Sequence, residues 1–352
     1  MPARPNSLQG ETFESLTADI PFLPIEVRHD HLMSDSKDLI TKVFPMWREE
    51  DLSLIQCKDG ITNKLVKCED TKSGTTVLVR AYGKKSELII NRRQELQTMA
   101  GLARLGLCPP LYARFENGLV YGFIPGRVVQ PVEMGYAYIS KLIAEKLAKW
   151  HMVDLPGDSN PQLFATLSKW LNDIPETFDS VIKQKQFTEQ FDMAQIRTEL
   201  ELLRTELTKL NSPVVFSHND LLSANIIYNE AKGEISFIDY EYGTYNYRGF
   251  DIANHFCEYA GFECDYSRYP SKKQQLLWFR IYLETYNHIP PTDKDLEALF
   301  NEVAKFSLAS HFYWGLWALV QASISDIDFD YMSYARMRFD KYFETKVAYL
   351  SL

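Results

Sequence analysis

Apolar and polar positions alternate in two short runs, Leu65–Cys68 and Val77–Arg80, separated by the turn-rich "EDTKSG", and this pattern predicts a β-hairpin. A third strand is predicted over Leu119–Pro125, "LVYGFIP". Before it, "ELIINRRQELQTMAGLARLGL" has helical spacing and stops at Pro109 and Pro110, which cannot continue a helix. From about Glu133 the period changes to that of long amphipathic helices. In "YISKLIAEKLAKWH", Ile139, Leu142, Ile143, Leu147 and Trp150 recur at helical spacing. In "MAQIRTELELLRTELTKL", Ile196, Leu200, Leu203, Leu207 and Leu210 fall at alternating four- and three-residue steps. That run is short for a coiled coil, so it is predicted to pack on its own domain, with a homodimer as the alternative. Further helices are predicted at "QQLLWFRIYLETYN", from Asp293 to about Gln321, and from Met332 to Tyr349.

Pro125 and Gly126, in "FIPGRV", interrupt periodic structure where the pattern changes. The predicted organisation is a loose tail over residues 1–22, a β-rich unit over 23–125 and a mainly helical unit over 126–352. A chain of 352 residues can bury cores of this size.

Lys and Arg number 38 against 47 Asp and Glu, a net charge of -9 that argues against a nucleic-acid backbone as partner. The longest apolar stretch, Phe312–Val320, is far short of a membrane span of roughly 20 residues. The N-terminal segment has no apolar signal region and carries Glu11, Glu14 and Asp19, so a cytoplasmic protein is expected. Cys57, Cys68, Cys108, Cys257 and Cys264 have no C-x-x-C spacing and indicate neither a disulfide framework nor a zinc site.

One stretch carries chemistry. "FSHNDLLSANIIYNEAKGEISFIDYEY", Phe216–Tyr242, sets His218, Asp220, Asn225, Asp239 and Glu241 among strand-like apolar residues, where an unpartnered carboxylate is costly. Centring a hairpin on Lys232 places Asn225 and Asp239 seven residues to either side, hence side by side on strands roughly 5 Å apart. An amide oxygen and a carboxylate there suit Mg²⁺ shared with phosphate oxygens, and Asp220 is left to accept a proton from a hydroxyl. The spacing H-x-D-x4-N followed by a later Asp is that of phosphoryl transfer in protein kinases. The bland alternative is a turn-capping Asn beside surface acids.

"HNDLLSANIIYN", "FIDYEYGTYNYRGFDIANHFCEYAG", "DGITNKL" and "ASHFYWGLWALVQASIS" together resemble the choline/ethanolamine kinase family, its ethanolamine-kinase branch most closely, from about Phe44 to Tyr342. The resemblance implies an α+β, bilobal protein-kinase-like fold with a small β-rich N-lobe and a larger mainly helical C-lobe. It implies ATP-dependent phosphorylation of ethanolamine, the first step of the CDP-ethanolamine route to phosphatidylethanolamine. Carried over by position, Asp220 resembles the catalytic base, Asn225 and Asp239 the Mg²⁺ ligands, and Glu241 an additional acid of the metal site. Arg80 stands in the place of the kinase strand lysine, and its donor fork suits phosphate oxygens. Glu95 is the candidate acid that orients Arg80, or else an exposed helix Glu. "KDGITNKL" would cover the phosphates through Gly60, Thr62 and Asn63. "YGFIP", with Phe123 and Ile124, would lie beside adenine, and Gly122 stands where related ethanolamine kinases often have a larger polar residue.

An amino alcohol needs a carboxylate or aromatic faces for its cation, a few ångströms from Asp220. The family comparison points to Tyr242, Glu258, Trp314, Trp317, Phe329, Tyr331 and Tyr334. On spacing alone, Trp314 and Trp317 also read as core. Asp251 is expected to anchor the catalytic loop, and His255 to be a packed, hydrogen-bonded residue. Leu222 and Ser223 follow the ethanolamine-kinase form, whereas "YRGFD" and "FCEY" are shared with choline kinases, which leaves a choline or dual kinase open. An aminoglycoside-phosphotransferase-like kinase shares the H-x-D-x4-N but gives no reason for "WGLW". A pseudokinase scaffold fits poorly with intact Asp220, Asn225 and Asp239.

Overall fold

The computed structural model describes residues 7, 8, 10–57, 63–83, 86–325 and 327–352. It divides into two compact units, Leu8–Pro125 and Gly126–Leu352, the second taking in Ser7.

The smaller unit holds three helices, α1 (Phe13–Thr17), α2 (Leu32–Val43) and α3 (Arg92–Arg104). Its strands are β1 (Phe22–Leu23), β2 (Leu52–Cys57), β3 (Asn63–Asp70), β4 (Thr75–Tyr82), β5 (Leu111–Phe115) and β6 (Gly118–Gly122). They form one sheet in the order β1-β5-β6-β4-β3-β2. The β3–β4 hairpin runs two residues beyond the apolar pattern at each end of both strands, because polar residues such as Asn63 and Asp70 pair through their backbones regardless of side chain. Val77, Val79 and Ala81 of β4 are buried with Val66, Cys68, Val120 and the α2 residues Leu39 and Ile40. The period-2 alternation sends the intervening Arg80 to the other face of the sheet.

The segment 1–22, expected as a loose tail, instead contains α1, closed by a Thr12–Ser15 capping box. Its acids are tied to α3: Arg93 meets Glu14 at 3.0 Å and Arg104 meets Glu11 at 3.2 Å. The Arg93 guanidinium lies over the Phe13 ring, and Leu16 is buried. Acidic residues that in the sequence spoke only against a targeting segment are partners of distant arginines, Glu14 of Arg93 and Glu11 of Arg104.

The larger unit opens with β7 (Arg127–Val128), followed by α4 (Ala137–Trp150), α5 (Leu163–Asp173), α6 (Val181–Gln190) and α7 (Met193–Thr208). The stretch around Phe216–Tyr242 supplies β8 (Val214–Ser217), β9 (Ile226–Asn229) and β10 (Glu234–Phe237), and β11 (Thr244–Tyr247) follows. The chain ends in α8 (Arg248–Cys257), α9 (Lys272–Asn287), α10 (Asp293–Ile324) and α11 (Tyr331–Leu350). The strands pair as β10-β9-β7 and β11-β8. The helical stripe of α7 is spent inside this unit, with Ile196, Leu200, Leu203 and Leu207 buried and the helix lying against α5 and α10.

α10 starts at a Thr292–Asp295 capping box and is buried on nearly every side from Val303 to Ala322, packed by α8, α9 and α11. Gly315 permits the α11 contact, since a Cβ there would lie 2.8 Å from the Phe339 ring. That close crossing brings Tyr331 of α11 against Trp317 of α10, and Arg338 of α11 against Ser310. Among the described residues no helix is long and apolar enough to cross a membrane.

Candidate active site

The larger unit presents Asp220 on a loop that β8 delivers and α8 fastens. β8 pairs with β11 as far as Ser217, and the chain then turns through Asn219 at φ 63°. The carboxylate of Asp251 in α8 accepts the amides of His218 at 2.9 Å and Asn219 at 2.7 Å. The same carboxylate accepts Nε2–H of His151 at 2.9 Å, and His151 Nδ1 accepts the Tyr282 hydroxyl at 2.7 Å. Burial alone would push Asp251 up, but the imidazole hydrogen bond and neighbouring histidines outweigh it and hold the carboxyl below its usual range. His151 is driven the other way, its proton affinity lowered by burial despite Asp251, which keeps it a neutral donor. The His218 ring, buried beside Trp150 and Phe237, donates Nε2–H to the Ile238 carbonyl at 2.9 Å.

Asn225 Nδ2 donates to the Asp220 carbonyl at 2.8 Å and to its carboxylate at 3.0 Å. The amide oxygen of Asn225 is then the atom left for a cation. Burial raises the Asp220 carboxyl well above its ordinary value, and Asp239, Glu258 and Glu241 add to the shift by repulsion. Three carboxylates therefore act on Asp220 here. That excess of negative charge, with hard oxygen donors, fits a divalent cation. Among the described residues no three His, Cys, Asp or Glu side chains make a ready cage, so an amide and phosphate oxygens would have to complete its shell.

The hairpin is not centred on Lys232. β9 and β10 pair Asn229 with Glu234 and Ile226 with Phe237, so Asn225 stands opposite Ile238, whose amide donates to the Asn225 carbonyl at 3.0 Å. Asp239 lies one residue beyond, in the left-handed region at φ 62°. Adjacency across the ladder is thus replaced by a backbone turn at Asp239. A positive φ at a non-glycine residue costs energy and marks a position fixed by its surroundings.

The rings expected around the acceptor form one continuous wall. Tyr242 meets Trp314 at 5.6 Å between centroids, Trp314 meets Trp317 at 5.4 Å, and Trp317 meets Tyr331 at 5.7 Å. Phe329 continues it, 4.9 Å from Tyr331 and 5.7 Å from Tyr334. Trp317 Nε1 donates to the Tyr242 hydroxyl, and Trp314 Nε1 to Asn254 Oδ1 at 2.7 Å. Asn254 also donates to the Asn219 carbonyl, which ties the wall to the catalytic loop. Glu258, 6% exposed, is bound by Arg338, whose Nη1 reaches it at 3.1 Å.

In the smaller unit Arg80 and Glu95 form a buried ion pair. Arg92 also binds Glu95, at 2.8 Å, and reaches Asn63 Oδ1 at 3.3 Å. Phe123 donates its amide to Thr76 and packs its ring under the Lys67 ammonium. Ile124 follows it, half-buried. Gly122 is tight, since a Cβ would lie 3.1 Å from Pro109 Cβ. Gly60 and Thr62 lie outside the described residues.

Sequence reasoning passed over Asn219, Asn254, His151, Arg92 and Arg338. Arg338 had a signal: Tyr331, Tyr334 and Arg338 share one helical stripe by spacing. The others depend on contacts between distant segments.

A β-rich unit with a buried Arg–Glu pair and a helical unit with a fastened Asp–Asn loop define a phosphotransferase of protein-kinase-like architecture. The choline/ethanolamine kinase family matches residues 54–343, and the chain belongs to that family. Human ethanolamine kinase 1 is 42% identical over 318 residues, covering 88% of this chain and 70% of its own. The probable ethanolamine kinase A of Dictyostelium discoideum is 41% identical over 310 residues, 87% of this chain and 88% of its own. The solved structure of a Plasmodium vivax ethanolamine kinase superposes with a TM-score of 0.81 at 29% identity, covering 95% of each chain.

Proposed function

We infer that the protein is an ethanolamine kinase, which transfers the γ-phosphoryl group of ATP to the ethanolamine hydroxyl and gives phosphoethanolamine and ADP. Relatives that carry that name align over most of the chain at about 40% identity. The product enters the CDP-ethanolamine route to phosphatidylethanolamine.

The observation that carries the chemistry is the Asn225–Asp220 contact. With one Asp220 oxygen held by the amide, the other is free to take the proton of the acceptor hydroxyl, a role worth about 10²–10⁴ in rate. Mg²⁺ would be held by Asn225, Asp239 and Glu241, and when bound it neutralises charge on the transferring phosphate oxygens. Arg80, oriented by Glu95, is the donor fork for nucleotide phosphates, and the backbone near Phe123 and Ile124 serves the adenine. The aromatic wall and Glu258 receive the ammonium: Asp220 feels the Glu258 charge, as a short amino alcohol bridging the two would require. We place the reaction in the cytoplasm, a reducing compartment that suits the thiols of Cys57, Cys68, Cys108, Cys257 and Cys264.

The aromatic wall also favours a second reading, a dual kinase that accepts choline, because ring faces bind a quaternary ammonium. A coupled assay of purified protein with Mg²⁺-ATP and ethanolamine, choline or the methylated intermediates decides between them. A protein that turns over none of these amino alcohols contradicts both readings.

A further inference from the structure

Arg338 has no place in the reaction as described, yet it is the best-connected charged group beside the acceptor wall. It is fully buried in α11. Nη1 donates to Glu258 at 3.1 Å and to the Tyr334 hydroxyl at 3.3 Å. Nη2 donates to the Ser310 carbonyl at 3.2 Å and hydroxyl at 3.0 Å. Ser310 in turn donates to Asn254 Oδ1, the same oxygen that holds Trp314, and Asn254 donates to the catalytic loop at Asn219. One guanidinium thus joins an acidic acceptor residue, an aromatic one and the loop that carries Asp220.

We propose that Arg338 is a positioning residue for the acceptor cation, fixing the Glu258 carboxylate in its ionised form and in one orientation so that its second oxygen meets the ammonium. Burial pushes the Glu258 carboxyl up, and the Arg338 guanidinium hydrogen-bonded to it is the group that opposes this and favours the carboxylate. Tyr334, Cys257 and Cys264 also face Glu258, and none of them supplies a cation. Only a planar fork can hold Glu258, Tyr334 and Ser310 together, which a lysine point charge does in part. Glu258 Oε1 is taken by Arg338, so Oε2 is the oxygen presented to substrate. Ethanolamine gains from that oxygen through its N–H donors, whereas choline has none to offer.

The proposal rests on the ammonium being received at Glu258, so the experiment separates the two. Steady-state kinetics with ethanolamine are compared for wild type, Arg338→Met, Arg338→Lys, Glu258→Gln and the Glu258→Gln/Arg338→Met pair. Arg338→Met is expected to raise KM for ethanolamine by about tenfold or more while kcat stays within about threefold. Arg338→Lys should recover most of that loss. With Glu258 already changed to Gln, the Met substitution should add less than about twofold, because its effect acts through Glu258. Losses that simply multiply in the double variant, or that fall on kcat alone, overturn the proposal. An unchanged KM in Glu258→Gln overturns the reading of Glu258 itself. Should Arg338→Met fail to fold, the Lys variant and the double variant, which leaves no unpaired buried charge, carry the same comparison.

Discussion

The Asn225 side-chain amide donates to both the carbonyl and the carboxylate of Asp220, five residues before it. A residue expected to serve the metal therefore also sets the direction of the base. The two roles use opposite ends of one amide, its N–H₂ toward Asp220 and its oxygen toward a cation. Asp251 completes the arrangement from α8 by capping the amides of His218 and Asn219, so the loop is held at both ends.

Asp220→Asn should keep the fold and ATP affinity while kcat falls by about 10²–10⁴, because shape is retained and proton acceptance is lost. Turnover close to wild type, measured by coupled release of ADP, would remove Asp220 from the role of base.

Asp239→Ala removes a carboxylate from the turn beyond β10. Saturation with Mg²⁺ should require a markedly higher concentration, and the deficit should be partly recovered by raising the metal. A Mg²⁺ titration that coincides with wild type would show that the cation is held elsewhere.

Glu258→Gln preserves shape and an acceptor for Arg338 but weakens a charge-assisted contact to substrate. The loss in kcat/KM should be greater for ethanolamine than for residual choline activity. Trp314→Ala should lower both, since it opens the wall and removes one of the two donors to Asn254 Oδ1. Equal losses for the two substrates on Glu258→Gln would contradict a cation site built on that carboxylate.

The buried histidines should lower stability as the solution becomes more acid below neutrality, while the raised carboxyls of Asp220 and Glu258 work in the opposite direction. His255 is pushed down from 6.5 to about 4 by burial, and His151, His218 and His311 shift in the same direction. The unfolded chain takes up the His255 proton between pH 6.5 and about 4 while the folded chain does not, so the His255 contribution to stability is complete above 6.5 and is lost across that window. His255 alone accounts for roughly 3 kcal/mol of this. Denaturant melts at pH 7 and pH 5 should show a shallower pH dependence for His255→Asn than for wild type. Identical slopes would mean that His255 is not neutral in the fold.

The local order of the chain was legible because it follows from local rules. Period-2 alternation marks β3 and β4, and Pro109 and Pro110 bound the helix before them. A helical period marks α4, α7, α9, α10 and α11. The residue set of the site was legible too, since H-x-D-x4-N and "FIDYEY" put acids and an amide where an apolar context would not tolerate them by chance.

Tertiary structure decided the geometry of those groups. The turn of the catalytic hairpin, with Lys232 and Gly233 both donating to the Asn229 carbonyl, sets a register one residue away from symmetry about Lys232. Asp239 therefore leaves the ladder and reaches the site through a positive φ. Glu11 and Glu14 proved to be partners of α3, and Arg338, which spacing alone sets on one stripe with Tyr331 and Tyr334, is buried against Glu258. The physical reason is the same in each case. A sequence period reports which face of an element is apolar, whereas the environment of a charge depends on which distant segment the packed core brings beside it.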